Sequence, residues 1–135
     1  MATTIHERIF KKLETILGNL EELPEHASFQ TCGFMDLNFD RLYGDKVSVT
    51  IAVSHYFRQN GDMVPDPDME VRIYPGIKMA EALSYQDSFG YRQVYPEPGK
   101  VDLKAKKDLN DFLNVWLSNI IMQGYVKVQG DGYEI

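Results

Sequence analysis

Few residues in this chain have an obvious claim to chemistry: three histidines, one cysteine and a dense acidic stretch at residues 59–70. Cys32 and His55 are the types a nucleophile and its base require, the imidazole taking the thiol proton. Alternation places Cys32 on the even face and His55 on the odd face of neighbouring strands, so the two point to opposite sides of a sheet. His55 reads instead as a histidine at the core edge. His6 falls in the first turn of a helix and His26 in a loop, with no partner suggested for either. One cysteine allows no internal disulfide, CxxC pair or Cys/His zinc cluster. In the acidic stretch, Asp62, Asp66 and Asp68 lack the spacing of a calcium loop. No GxGxxG, GxxxxGK[ST], HExxH or GxSxG string occurs. No catalytic residue, metal or cofactor is therefore assigned.

Aromatic and charged pairs are more informative. Tyr56 and Tyr74 fall on the wet face of their strands, and Tyr85, Tyr91 and Tyr95 follow. Tyrosine joins apolar area to a polar handle and is enriched in binding surfaces. A four-residue turn at 75–78 pairs Tyr74 with Met79 and Ile73 with Ala80, which sets Arg72 directly opposite Glu81. Tyr56, Arg72, Tyr74, Glu81 and Tyr85 are the candidate binding residues.

The elements that must position them follow from periodicity. Thr4 and Glu7 form a capping-box pattern. After it, Ile5, Ile9, Leu13, Ile16, Leu20 and Leu23 make one helical stripe ending before Pro24. From Ser28 the period becomes two: Phe29 to Phe39 predicts one strand and Val47 to Val53 a second, paired as a hairpin. Met69, Val71 and Ile73 mark a third strand, with fourth and fifth at 79–86 and 89–95. Pairing Phe57 with Met69 keeps apolar residues on one face, so residues 58–68 read as a long exposed loop, with partner contact as the minority reading. After the N-cap Asp102, the stripe Leu109, Phe112, Leu113, Trp116, Leu117 and Ile120 predicts a second helix closed by Gly124. Residues 125–135 offer a short edge strand at Val126 and Val128. The expected architecture is one α+β domain over 1–135: a four- to five-stranded antiparallel meander flanked by an N-terminal and a C-terminal helix, both on one face of the sheet.

The 135 residues are 44% hydrophobic and 25% charged, enough for a core, and the net charge of −6 disfavours binding to a nucleic-acid backbone or an anionic membrane. Charges in the first twenty residues exclude a signal-peptide core, and the longest uncharged run, 112–126, is short for a membrane span. A cytoplasmic protein is expected.

Several strings resemble the YqiB-like family of small uncharacterised bacterial proteins. They are Met69-Glu70-Val71-Arg72-Ile73-Tyr74, Met79-Ala80-Glu81 with Ser84-Tyr85-Gln86, Tyr95-Pro96, and the helix segment from Leu109 to Leu117. The resemblance spans roughly residues 67–124. It departs from the family where a His-Asp pair commonly follows the tyrosine and this chain has Pro75-Gly76. It implies a bacterial cytosolic protein and carries no mechanism.

The functional expectation is a non-catalytic interaction module that meets an unidentified protein, or a second copy of itself, through the tyrosine-bearing sheet face. Two alternatives are a small-molecule binder or enzyme with a cleft between sheet and helices, and an acidic nucleic-acid mimic.

Overall fold

A computed structural model of the chain describes residues 3–59 and 62–128, without the side chains of 56–66. The elements are α1 (Ile5–Leu17), β1 (His26–Gln30), β2 (Asp36–Gly44), β3 (Val49–Gln59), β4 (Asp62–Tyr74), β5 (Met79–Asp87), β6 (Gly90–Gln93), α2 (Leu103–Gln123) and β7 (Val126–Lys127). The class is α+β. The sheet is antiparallel with strand order β6-β5-β4-β3-β2-β1-β7, a continuous meander to which β7 returns after α2.

Both helices start where the sequence places them. Thr4 accepts from the Glu7 amide at 3.2 Å and the Glu7 carboxylate accepts from the Thr4 amide at 2.9 Å, so the capping box forms. The Asp102 carboxylate accepts from the Ala105 amide at 3.0 Å, and Gly124 closes α2 in the left-handed region. The end of α1 is a correction: it stops at Leu17, with Gly18 at φ +86° as its cap, rather than running to Pro24. Leu20 and Leu23 remain buried, carried by turns that follow the helix.

The strand count of four to five is also corrected. The predicted strand over Phe29 to Phe39 is a hairpin, because the chain reverses at 31–34, where Gly33 takes φ +87° and the Phe34 amide bonds the Thr31 carbonyl. Period-two spacing continued across that turn and hid it. The expected loop at 58–68 is corrected as well: β3 and β4 pair directly down to Gln59 with Asp62. Ile73 therefore lies opposite Val49, Val71 opposite Ile51 and Met69 opposite Val53, four residues from the expected register and on the same face. Pairing Gln59 with Asp62 in a regular ladder opposes odd to even positions and would break the apolar face. The chain resolves that conflict with a bulge between Ser54/Asp68 and Tyr56/Pro65, where β3 supplies one residue and β4 two. Pro67, which lacks a ladder donor, sits in that bulge, where no pairing is required of it.

Two further bulges shape the sheet, at Leu42 in β2 and Leu83 in β5. The core is one cluster that joins Ile9 and Leu13 of α1, Leu113, Leu117 and Ile120 of α2, and Leu37, Val53, Met69, Val71 and Ile73 of the strands. Each such side chain contributes about 1.5–3 kcal/mol of gross burial energy. The opposite sheet face carries polar rows, of which Tyr43, Thr50, Arg72 and Glu81 form one across β2 to β5. Among the described residues no helix is long and apolar enough to cross a membrane.

Candidate functional site

The register of β4 on β5 is the one the sequence implies: Tyr74 opposite Met79, Ile73 opposite Ala80, Arg72 opposite Glu81 and Val71 opposite Ala82. Cross-strand opposition puts Arg72 and Glu81 on one face, and alternation adds Tyr74 two residues from Arg72. The contact differs from a plain ion pair. Arg72 Nη1 lies 3.9 Å from Glu81 Oε2, too far for a hydrogen bond, and Tyr74 stands between them. Its hydroxyl donates to Glu81 Oε2 at 2.7 Å and lies 3.4 Å from Arg72 Nη1.

The other carboxylate oxygen has its own pair of partners. Tyr95, just beyond β6, donates to Glu81 Oε1 at 2.7 Å, and Lys106 from the first turn of α2 brings Nζ to 3.7 Å. Lys106 Nζ also lies 5.9 Å from the centre of the Tyr95 ring. Glu81 is thus 8% exposed with two hydroxyls and two cations around it. Burial alone raises its carboxyl, but the bonds from Tyr95 and Tyr74 and the charges of Lys106 and Arg72 outweigh that and hold it below the ordinary value. Burial first, and then the bond to Glu81, pushes Tyr95 up to about 12, so at neutral pH this hydroxyl keeps its proton and donates. Burial likewise raises Tyr74.

A carboxylate bonded by two hydroxyls, beside two cations and held below its ordinary value is a weakened base, so this centre is poorly suited to general-base work. It can hold two tyrosine rings in fixed orientation at the surface. Tyr95 is 40% exposed, and Tyr43 of the same polar row is 57% exposed. Among the described residues no group of three His, Cys, Asp or Glu side chains could hold a metal ion.

Of the five candidate residues, the fold gathers Arg72, Tyr74 and Glu81. Tyr85 lies on the other side of the sheet. The bulge at Leu83 sets it opposite Met69 instead of Asp68, and its ring meets Phe112 of α2 edge-on at 5.2 Å. The Tyr56 side chain lies outside the described residues. Lys106 and the role of Tyr95 were missed because both come from segments distant in sequence, and no local spacing links them to β5. Beside Tyr74, a groove of about 730 Å³ opens at the end of the sheet, lined among others by Leu23, Arg41, Tyr43, Lys46 and Ile77. It lies at the strand turns, away from the sheet–helix interface.

Family comparison gives a match that covers most of the chain. A domain of unknown function, DUF6908, matches residues 5–126, from the start of α1 to β7. The chain belongs to this DUF6908 family. No curated protein and no solved structure matches it. The DUF6908 match takes in every element that builds the Glu81 centre: β4, β5, the segment after β6, and α2.

Proposed function

We propose that this DUF6908 protein is an interaction module that engages another protein through the tyrosine-bearing sheet face, with Tyr74, Tyr95 and Arg72 as contact residues and Glu81 as their anchor. The observation that carries this reading is the pinning of both tyrosine hydroxyls on one buried carboxylate. Rings already fixed lose little rotamer freedom on binding, and aromatic and arginine side chains supply much of the energy at interface centres. Kinship with the YqiB-like family, and with it a bacterial cytoplasmic setting, is part of the same proposal and is supported by the strings around Arg72 and Trp116. The test is capture of partners by the tagged chain from its native cell, repeated with Tyr95→Ala and Arg72→Ala. A stoichiometric partner held by the wild type and lost by both variants, at melting temperatures within a few degrees of the wild type, is the expected result. Equal capture by all three proteins, or no partner at all, defeats the reading.

A further inference from the structure

On the same sheet face, at the β1–β2 end, a second cluster has a different chemistry. His26 and Ser28 share a face of β1 by alternation, and their cross-strand neighbours in β2 are Asp40 and Asn38. His26 Nδ1 lies 2.5 Å from Asp40 Oδ1, and His26 Nε2 lies 2.7 Å from Ser28 Oγ. Ser28 Oγ is also 2.7 Å from Asn38 Oδ1. Carboxylate, imidazole and hydroxyl therefore stand in the linear order of a nucleophile, its base and the base's orienter.

Two hydrogen-bond patterns satisfy these positions. With a doubly protonated ring, His26 donates to both Asp40 and Ser28, and Ser28 donates to Asn38 Oδ1. With a neutral ring, Nδ1–H donates to Asp40, Nε2 accepts from Ser28, and the Asn38 amide, turned over, donates to Ser28 Oγ. In the second pattern the serine proton points at its base. The Asn38 amide nitrogen makes no hydrogen bond among the described residues, so turning the amide over breaks no bond of that nitrogen and brings a donor to the hydroxyl. The His26 and Asp40 side chains are 42% and 36% exposed, which leaves the centre open to solvent and to small solutes.

We propose that Ser28, His26 and Asp40 form a nucleophilic centre that hydrolyses small neutral or cationic carboxylic esters, with Asn38 donating to the developing oxyanion. Ser28 Oγ adds to the ester carbonyl carbon while its proton passes to His26 Nε2, and the carbonyl electron pair moves onto oxygen beside the Asn38 amide. Collapse of this adduct breaks the bond to the alkoxy group, which leaves as the alcohol with the proton from His26. Water then adds to the acyl-serine and gives a proton to His26. The Oγ–carbon bond breaks, the carboxylic acid departs, and His26 reprotonates Ser28. Substrate charge is restricted by the surroundings. Asp36 lies two residues before Asn38 on the same face of β2, and Asp68 and Glu70 stand across β3 beside Ser54 and Ala52, so an anionic ester meets like charge.

The probes are a fluorophosphonate, which marks activated serines, and p-nitrophenyl acetate alongside a cationic and an anionic ester of the same acyl group. The full chain should take one label, mapped to Ser28, and should turn over the cationic ester faster than the anionic one. Ser28→Ala should abolish both the labelling and the hydrolysis. His26→Gln should slow both by about 10²-fold or more, the usual share of a general base. Both variants should keep the wild-type melting temperature, since these side chains are partly exposed. An unlabelled Ser28, a label on another serine, or equal rates for wild type and His26→Gln overturns the proposal. An anionic ester turned over as fast as the cationic one overturns the charge selectivity.

Discussion

Asn110 shows how a single polar side chain can secure an otherwise apolar helix face. It is 2% exposed on α2. Its Oδ1 accepts from the Ala82 amide at 2.9 Å, at a point on β5 that β6 does not reach, and its Nδ2 donates to the Lys106 carbonyl at 2.7 Å. The side chain thus replaces a missing strand partner and ties the start of α2 to the sheet, close to where Lys106 meets Glu81. Asn110→Ala leaves the Ala82 amide buried without a partner, a cost of about 1–3 kcal/mol. Urea denaturation should show a lower midpoint at unchanged slope, because the surface exposed on unfolding stays the same. A midpoint equal to the wild type would mean that water takes over the amide and that Asn110 does not hold the helix in place. Nothing in the apolar stripe marked Asn110 out, since its importance arises from a strand that ends too early.

At the scale of elements, bulges decide which side chains reach which face. Were Leu83 paired with Glu70, the β4–β5 register of Val71 and Ala82 would continue, and Tyr85 would stand opposite Asp68 on the polar face. With Leu83 left out of the ladder, Ser84 pairs with Glu70, and Tyr85 joins Met69 and packs against Phe112, which in turn lies 5.8 Å from Trp116. Deleting Leu83 would keep Ser84 opposite Glu70 and Tyr85 opposite Met69, so the contact is tested by removing the ring: Tyr85→Ala should cost about 3 kcal/mol, the low end of the range for losing a large aromatic from a packed site. A Tyr85→Ala variant that melts within a few degrees of the wild type would show that the ring contributes little to the packing of α2 on the sheet. The same devices set the limit of what the sequence reveals. Both helix N-caps, the alternation of Val49 to Val53 and Met69 to Ile73, and the Arg72–Glu81 opposition were readable, because each depends on residues close in the chain or joined by one short turn. The turn at Gly33, the bulges, and the approach of Tyr95 and Lys106 to Glu81 were not. A bulge trades one residue of register for a change of face, and period-two spacing looks the same on either side of it.

For the molecule as a whole, the two sheet faces place differently perturbed groups on opposite sides of one sheet, and their titration contributes to its response to acid. His55 is half-buried on the core face, with its ring edge-on to Trp116 at 5.2 Å and stacked near Tyr125 at 6.0 Å, and burial lowers its value from 6.5. The fold therefore favours the neutral imidazole. The stability this gives is present above 6.5 and is lost as pH falls through the lowered folded value. Glu81, also lowered in the fold, contributes stability that is present above 4.5 and is lost on further acidification. Asp68 acts in the other direction. Burial raises it, with the Ser54 bond opposing and the charge of Asp40 adding to the rise, so protonating it on acidification returns some stability. The stability profile should be level at neutral pH, decline below 6.5 as His55 charges, and steepen below 4.5 as Glu81 is neutralised. His55→Phe keeps an aromatic ring against Trp116 and should lessen only the first decline, whereas Glu81→Gln should lessen only the second, to which the lowered Asp45, Asp87 and Asp108 also contribute. The two sites share no partner among the described residues, so their effects should add in the double variant. Urea midpoints measured across the acid range for the four proteins decide the matter. If His55→Phe still declines below 6.5 as the wild type does, His55 is not the source of the first loss of stability.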